Sequence, residues 1–108
     1  MSTCLVLVTC ASNEEAKLLS TSLVEERLAA CVNIVPSIQS VYHWEGQVKS
    51  DNESLLIIKS NKSMLAKLEQ RVQQLHSYST PEFVVLDTDY VNEKYQAWLT
   101  LALKPSKG

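Results

Sequence analysis

A chain of 108 residues is expected to form a single domain, residues 1–108, with a modest core. Its hydrophobic fraction of 45% is typical of folded proteins and argues against intrinsic disorder. The formal net charge is −2 without a Lys/Arg cluster, and no apolar run reaches the roughly 20 residues of a membrane-spanning helix. We therefore expect neither a nucleic-acid partner nor a membrane partner.

The chain contains three cysteines. Cys4 and Cys10 fall in one predicted strand, where a rise of about 3.3 Å per residue separates them by roughly 20 Å. A disulfide requires Cα atoms within about 7 Å, so these two cannot pair with each other and are expected in the core. The N-terminus lacks the basic start of a signal peptide, and a reducing cytoplasm is the simplest setting for free thiols. The expected location is therefore cytoplasmic.

The chain opens with a strand and a helix. Residues 3–11 are mostly apolar and predict the strand. Apolar side chains at helical spacing predict the helix over residues 13–30. Ser12 is a favourable N-cap, and Glu15 three residues later completes a capping-box pattern.

A long hairpin is predicted in the middle of the chain. Residues 32–44 are rich in β-branched side chains and predict a strand. This strand should bend near Pro36, because proline cannot donate to a strand ladder. Gly46 tolerates positive φ and places the turn at residues 45–47. Residues 53–60 predict the third strand, with apolar side chains on both faces.

The residues after the third strand predict a helix, a strand and a last helix. Ser60 or Asn61 caps the second helix, which ends at His76. Its apolar residues recur at helical spacing: Leu65, Leu68, Val72 and Leu75. Residues 83–91 predict the fourth strand, and Asn92 caps the last helix.

The order β-α-β-β-α-β plus a C-terminal helix predicts an α+β, ferredoxin-like fold. Four antiparallel strands, with a long hairpin between the second and third, would carry two helices on one face. A sheet face open to water usually alternates apolar and polar residues. Here the first, third and fourth strands are apolar on both faces, so the face without helices needs a cover. We therefore expect a homo-oligomer.

Five segments together resemble the CutA divalent-cation tolerance family, over about residues 8–99. They read RLAACVNIVPSI, SVYHWEG, ESLLIIKS, HSYSTPEF and YQAWL. The resemblance implies a homotrimer whose hairpin reaches onto a neighbour, and copper or another divalent cation bound in clefts between subunits. The family usually has a carboxylate where Ser79 stands here. A site that needs this carboxylate is expected to bind metal more weakly.

Three residues are the candidate metal ligands: Cys31, His76 and Glu82. A thiolate at Cys31, the cysteine that matches the family, would be a soft ligand, and the alternative is a small buried hydrophobe. His76 begins the family motif and offers an imidazole, and the alternative is a capping or hydrogen-bonded histidine. Tyr78 and Glu82 are expected to line the same cleft.

The leading hypothesis is a cytoplasmic, trimeric protein that binds copper or divalent cations and serves cation tolerance. The runner-up, by analogy with the architecture of PII signalling proteins, is a signalling or scaffold module that binds a small metabolite or anion between subunits. With two glycines and no G-x-S-x-G motif, the chain is not expected to be an enzyme. A hydrolase that uses Cys31 is a third alternative. Without a C-x-x-C or His-x-x-x-His pair, no closed structural zinc site is expected within one chain.

Overall fold

A four-stranded antiparallel sheet in the order β2-β3-β1-β4 forms the centre of the structure. The computed structural model describes residues 2–105, so the end of the polar tail expected at residues 104–108 lies outside the described residues. The elements are β1 (Thr3–Cys10), α1 (Asn13–Glu25), β2 (Cys31–Trp44), β3 (Gln47–Asn61), a 3-10 turn (Lys62–Met64), α2 (Leu65–Leu75), β4 (Val84–Asp87) and α3 (Glu93–Ala102). The predicted α+β, ferredoxin-like fold is confirmed.

The core lies between this sheet and the helices α1 and α2. Alternate residues of β1 are fully buried in it, which confirms that both β1 cysteines are core residues. The β1 core residues are Cys4, Val6, Val8 and Cys10, and the helices contribute Leu19, Leu23, Leu68 and Val72. Each buried leucine or valine contributes about 1.5–3 kcal/mol by leaving water.

α1 is shorter than predicted, because it ends at Glu25 instead of residue 30. Arg27 takes a left-handed conformation with φ 60°, a position usually given to glycine. The N–H of Leu28 donates to the Leu23 carbonyl at 3.0 Å, and the N–H of Arg27 donates to the Val24 carbonyl at 3.0 Å. This Schellman closure satisfies the last carbonyls of the helix and turns the chain toward β2.

β3 begins at Gln47, six residues before the predicted start at residue 53. Its pairing with β2 continues to the end of the hairpin, where Trp44 lies opposite Gln47. Glu45 and Gly46 form the turn with φ angles of 50° and 78°, the backbone that two-residue hairpin turns favour. The added residues, 47–52, are exposed and all polar except Val48, so no apolar pattern marked them as strand.

The predicted bend in β2 is confirmed at Pro36. The pairing with β3 shifts register between Val35 and Ile38, and Ser37 between them has a φ of 59°. A bulge of this kind bends a strand and increases its twist. The hairpin therefore continues beyond the bend as a two-stranded ribbon.

β4 is also shorter than predicted, four residues in place of the range 83–91. Asp87 pairs with Cys4, close to the start of β1, so the residues after Asp87 have almost no part of β1 left to pair with. The hydroxyl of Thr88 instead donates to the Thr3 carbonyl at 2.9 Å. β4 is therefore a short edge strand.

The cap predictions for the last two helices are confirmed in part. Of the two alternatives before the second helix, Asn61 is the cap, but it caps the 3-10 turn that leads into α2: its side-chain oxygen accepts the Ser63 N–H at 3.0 Å, and α2 itself begins after Met64 without a side-chain cap bond. Asn92 stands at the N-cap of α3 as predicted but makes no side-chain cap bond, and Leu99 of α3 packs with Ala30 after α1. Within residues 2–105, no helix is long and apolar enough to cross a membrane.

The orientation of α1 can be tested with two neighbouring leucines. Leu19 is 2% exposed, whereas Leu18 is 73% exposed. We expect Leu19→Ala to lower the free energy of unfolding by about 2–5 kcal/mol, because it leaves a cavity in the core. Leu18→Ala should change it by less than about 0.5 kcal/mol. Urea unfolding measures both, and similar losses in the two variants would contradict the packing described.

Candidate functional site

Three chain segments meet where β1 ends. Cys10 is the last residue of β1, Glu15 lies near the start of α1, and His76 caps the C-terminal end of α2. A thiol sulfur, a carboxylate oxygen and an imidazole nitrogen from these side chains lie within 4.8 Å of one another. Cys10 and His76 are buried, and 17% of the Glu15 side chain is exposed. We refer to these three residues as the β1-end cluster.

Glu15 joins the two helices through its carboxylate. Its Oε1 accepts the Ala11 N–H at 3.2 Å, one residue earlier than in the usual capping box, and its Oε2 accepts the Ser77 N–H at 2.7 Å. Burial alone would raise the pKa of Glu15, but hydrogen bonds from Ser77 and Ala11 and the nearby His76 outweigh it and lower the pKa. Glu15 is therefore held as a carboxylate.

His76 has one definite tautomer. Its Nδ1 accepts the backbone N–H of Tyr78 at 3.0 Å, so Nδ1 carries no proton. Nε2 therefore carries the ring proton and donates it to the Thr9 carbonyl at 2.7 Å. The Nδ1 atom lies 3.8 Å from Oε2 of Glu15. The imidazole of His76 is thus held beside the Glu15 carboxylate.

A second polar group lies beside this cluster. The hydroxyl of Tyr78 donates to Oε2 of Glu53 at 2.7 Å. The pKa of the Tyr78 phenol is raised, first by burial and then by its hydrogen bond to Glu53. The pKa of Glu82 is also raised, first by burial and then by the negative charge of Glu53. Carboxyl groups therefore dominate this end of the sheet.

The Cys10 thiol is held in its protonated form. Burial and, after it, the negative charges of Glu15 and Glu53 together raise its pKa to about 12. A thiol with this pKa is inert as a nucleophile at neutral pH.

The predicted ligands Cys31, His76 and Glu82 are not brought together by one chain. Cys31, partly buried, opens β2 and lies across from Lys59, which pairs with Leu5 near the start of β1. The β1-end cluster lies five residues further along β1, roughly 17 Å away at the usual rise per residue. Glu82, also partly buried, lies within the electrostatic reach of Glu53 at the same end as His76. Joining this set requires a second copy of the chain.

Sequence reasoning did not identify Cys10, Glu15 and Glu53 as site residues. Cys10 was assigned to the core and Glu15 to a helix cap, and the structure confirms both assignments. The missing information is long-range, because Ser77, which contacts Glu15, is 62 residues away in sequence. No local pattern in the sequence indicates a contact between residues so far apart.

Comparison with known proteins settles the family. The model of the CutA1 divalent ion tolerance protein matches residues 4–102. The chain belongs to the CutA1 divalent ion tolerance family. The resemblance found in the sequence is thereby confirmed.

Relatives of this CutA family member come from bacteria, plants and animals. The divalent-cation tolerance protein CutA of Thermus thermophilus is 48% identical, over 87% of this chain and 91% of the relative. The chloroplastic protein CutA of Arabidopsis thaliana is 50% identical, over 87% of this chain but 52% of the relative. The chain thus spans about half the length of this plant relative and of the human and mouse CutA proteins.

Solved CutA structures share the fold along nearly the whole chain. CutA1 from Oryza sativa superposes with a TM-score of 0.94 at 44% identity, covering 98% of this chain and 97% of that one. CutA1 from Ehrlichia chaffeensis gives a TM-score of 0.92 at 29% identity, covering 95% and 96%. A structure from Archaeoglobus fulgidus is described as a periplasmic divalent cation tolerance protein, so members of the family differ in location.

The Glu15 bridge predicts a pH dependence of stability. Glu15→Gln removes the charge that accepts two backbone N–H groups, and should lower the free energy of unfolding by about 1–3 kcal/mol near neutral pH. Because the folded-state pKa of Glu15 is lowered, its contribution is present above the unfolded value of 4.5 and is lost as pH falls through the folded value. Urea unfolding should therefore show that the wild type and Glu15→Gln differ less in free energy of unfolding at about pH 3 than at about pH 7.

The matched control for this prediction is Glu14→Gln. Glu14 lies in the same helical turn but is exposed. Its replacement should cost less than about 0.5 kcal/mol at either pH. A loss for Glu15→Gln that is no larger than the loss for Glu14→Gln would contradict the bridge.

Proposed function

We propose that this protein is a cytoplasmic homotrimer that binds divalent cations, copper among them, and thereby serves cation tolerance without enzymatic activity. The observation that carries the proposal is the match of the CutA1 divalent ion tolerance model to residues 4–102. A relative that is 48% identical bears the name divalent-cation tolerance protein. The proposal transfers that role to this chain.

The chemistry at the end of β1 supports cation binding over anion binding. Three carboxyl groups, those of Glu15, Glu53 and Glu82, lie at this end of the sheet, and that of Glu15 is 3.8 Å from the imidazole of His76. The negative charge of carboxylates attracts a cation and repels the anion that a PII-like module would bind. Imidazole and thiolate ligands suit copper and zinc. The signalling alternative therefore receives no support from the charges.

The ligand set Cys31, His76 and Glu82 belongs to this proposal as a site shared between subunits. Cys31 of one chain would approach His76 and Glu82 of its neighbour, because the two ends of the sheet are too far apart within one chain. The same separation keeps Cys31 away from His76 within one chain, so the hydrolase alternative lacks its Cys31–His76 pair there. With three protein ligands, the fourth coordination position would be taken by water.

Exposed apolar side chains support the trimer. They lie on the hairpin ribbon and along the edge strand β4, and include Val41, Trp44, Val48, Val84 and Leu86. An exposed edge with apolar residues is a surface that proteins usually cover. Burial of the ribbon on a neighbouring subunit would shield it from water.

The three unpaired cysteines support the cytoplasmic location. Cys4 and Cys10 are buried at opposite ends of β1, and Cys31 lies in β2. Free thiols in this arrangement persist in a reducing compartment.

The trimer is tested by size-exclusion chromatography with light scattering. We expect a mass three times that of the chain at micromolar concentration. Trp44→Glu, which places a charge on a side chain that is 56% exposed in the single chain, should shift the mass toward the monomer. Leu18→Glu on the exposed face of α1 is the control and should remain trimeric. A monomeric wild type would refute the assembly.

Copper binding is tested by titrating Cu²⁺ against the wild type, Cys31→Ala and His76→Ala. Loss of a ligand should weaken binding by at least about tenfold in each variant. His43→Ala removes the only other histidine, which is exposed on the hairpin, and should bind as the wild type does. Equal affinity in all four proteins would exclude the shared site.

A further inference from the structure

We propose that the outer face of α3 binds a second copy of this chain, with the two helices antiparallel and Glu93 of each copy beside Lys104 of the other. This contact goes beyond the proposed trimer, because it uses neither the hairpin ribbon nor β4. It would join two trimers, or two single chains, through a pair of helices.

The inner face of α3 is held by its own chain. Leu99 is fully buried. At the end of the helix, the guanidinium of Arg27 donates to the Ala102 carbonyl at 2.8 Å. Near its start, the Thr3 hydroxyl donates to the side-chain oxygen of Gln96. The opposite, outer face is therefore presented to solvent on a helix whose position is fixed.

The outer face of α3 is apolar and exposed. Leu101 is 65% exposed, and Tyr90, in the loop before the helix, is 83% exposed. Together with Ala97 they line an open groove of about 700 Å³. The polar side chains along this groove satisfy each other, because the Gln96 amide donates to the Thr100 hydroxyl at 3.3 Å. A contiguous exposed apolar surface of this kind is typical of an interaction site.

The two ends of the groove carry opposite charges. Glu93 lies in the first turn of α3, and Lys104 follows its last residues. The two are eleven residues apart, or about three helical turns, so they lie on the same face, roughly 16 Å from each other. Within residues 2–105, neither side chain takes part in an ion pair.

An antiparallel second copy matches both charges at once. A two-fold axis opposite the middle of α3 brings each Glu93 to the Lys104 of the other copy and sets each Ala97 opposite Thr100. The small Ala97 side chain allows the two helices to approach closely, and Leu101 of each copy enters the groove of the other. A parallel copy would place like charges together, and a uniformly acidic or basic partner would match one end only. The charge pattern therefore selects a copy of the same helix.

The contact is small. Three helical turns on each side bury less than the roughly 800 Å² per partner of a standard interface. We expect a dissociation constant between about 1 μM and about 1 mM. At micromolar concentration the particles are therefore separate, and they pair when the protein is concentrated.

The test is light scattering on the full chain at low ionic strength, in a series from about 10 μM to about 1 mM. The average mass of the wild type should rise at least about twofold across the series. Leu101→Glu should abolish the rise, because it places a charge in the apolar groove. Lys94→Glu is the control, because Lys94 is exposed on α3 but does not line the groove, and it should keep the rise.

Charge reversal tests the antiparallel arrangement. Glu93→Lys and Lys104→Glu should each weaken the association at least about tenfold, because like charges then meet at both ends of the contact. An equimolar mixture of the two single variants should associate as the wild type does, since opposite charges meet again at both ends. Both side chains are exposed, so the variants should fold, which circular dichroism verifies.

Three results would overturn the inference: no rise in mass for the wild type, a rise that persists in Leu101→Glu, or no association in the mixture of charge variants. The rise is measured relative to the mass at the lowest concentration, so it does not depend on the number of chains in the smaller particle. A monomer that doubles would support this inference and refute the trimer. A trimer whose mass stays constant would do the reverse.

Discussion

One carboxylate, that of Glu15, accepts backbone N–H groups from Ala11 before α1 and from Ser77 after α2. The imidazole of His76 adds a bond from the end of α2 to the Thr9 carbonyl of β1. These bonds join the start of one helix, the end of the other and the end of the central strand. Because all three elements are fixed at this point, the Cys10 sulfur is held close to an imidazole and a carboxylate in the protein itself. The metal binding proposed for His76 depends on this preorganisation.

The two ends of the sheet have different roles in the proposals. Cys31 lies at the end where β1 begins, and the β1-end cluster lies at the other. A site that combines Cys31 with His76 therefore requires a second subunit, whereas the three side chains of the β1-end cluster meet within one chain. The bulge at Pro36 and the ribbon beyond it extend the hairpin away from the core, where its apolar side chains lack a cover. Assembly and shared sites thus depend on the ribbon, and the β1-end cluster does not.

Much of the fold could be predicted because it is encoded locally. Ser12 and Glu15 marked the start of α1, and the structure places both side chains in capping bonds. The end of α1 could not be predicted, since Arg27 adopts a conformation usually given to glycine. The polar half of β3 was missed because a ribbon exposed on both faces has no apolar pattern. The proximity of Cys10 to His76 was missed because it is created by the packing of α2 against β1, which no spacing in the sequence expresses.

The central claim is that the Glu15 carboxylate and the His76 imidazole fix the start of α1, the end of α2 and the end of β1 at one point. The most direct measurement is amide hydrogen exchange, followed by NMR, at Ala11 and Ser77 in the wild type, Glu15→Gln and Glu14→Gln. The account predicts slow exchange at both amides in the wild type and in Glu14→Gln, and faster exchange at both in Glu15→Gln. Exchange at Ala11 and Ser77 that is equally fast in all three proteins would contradict it.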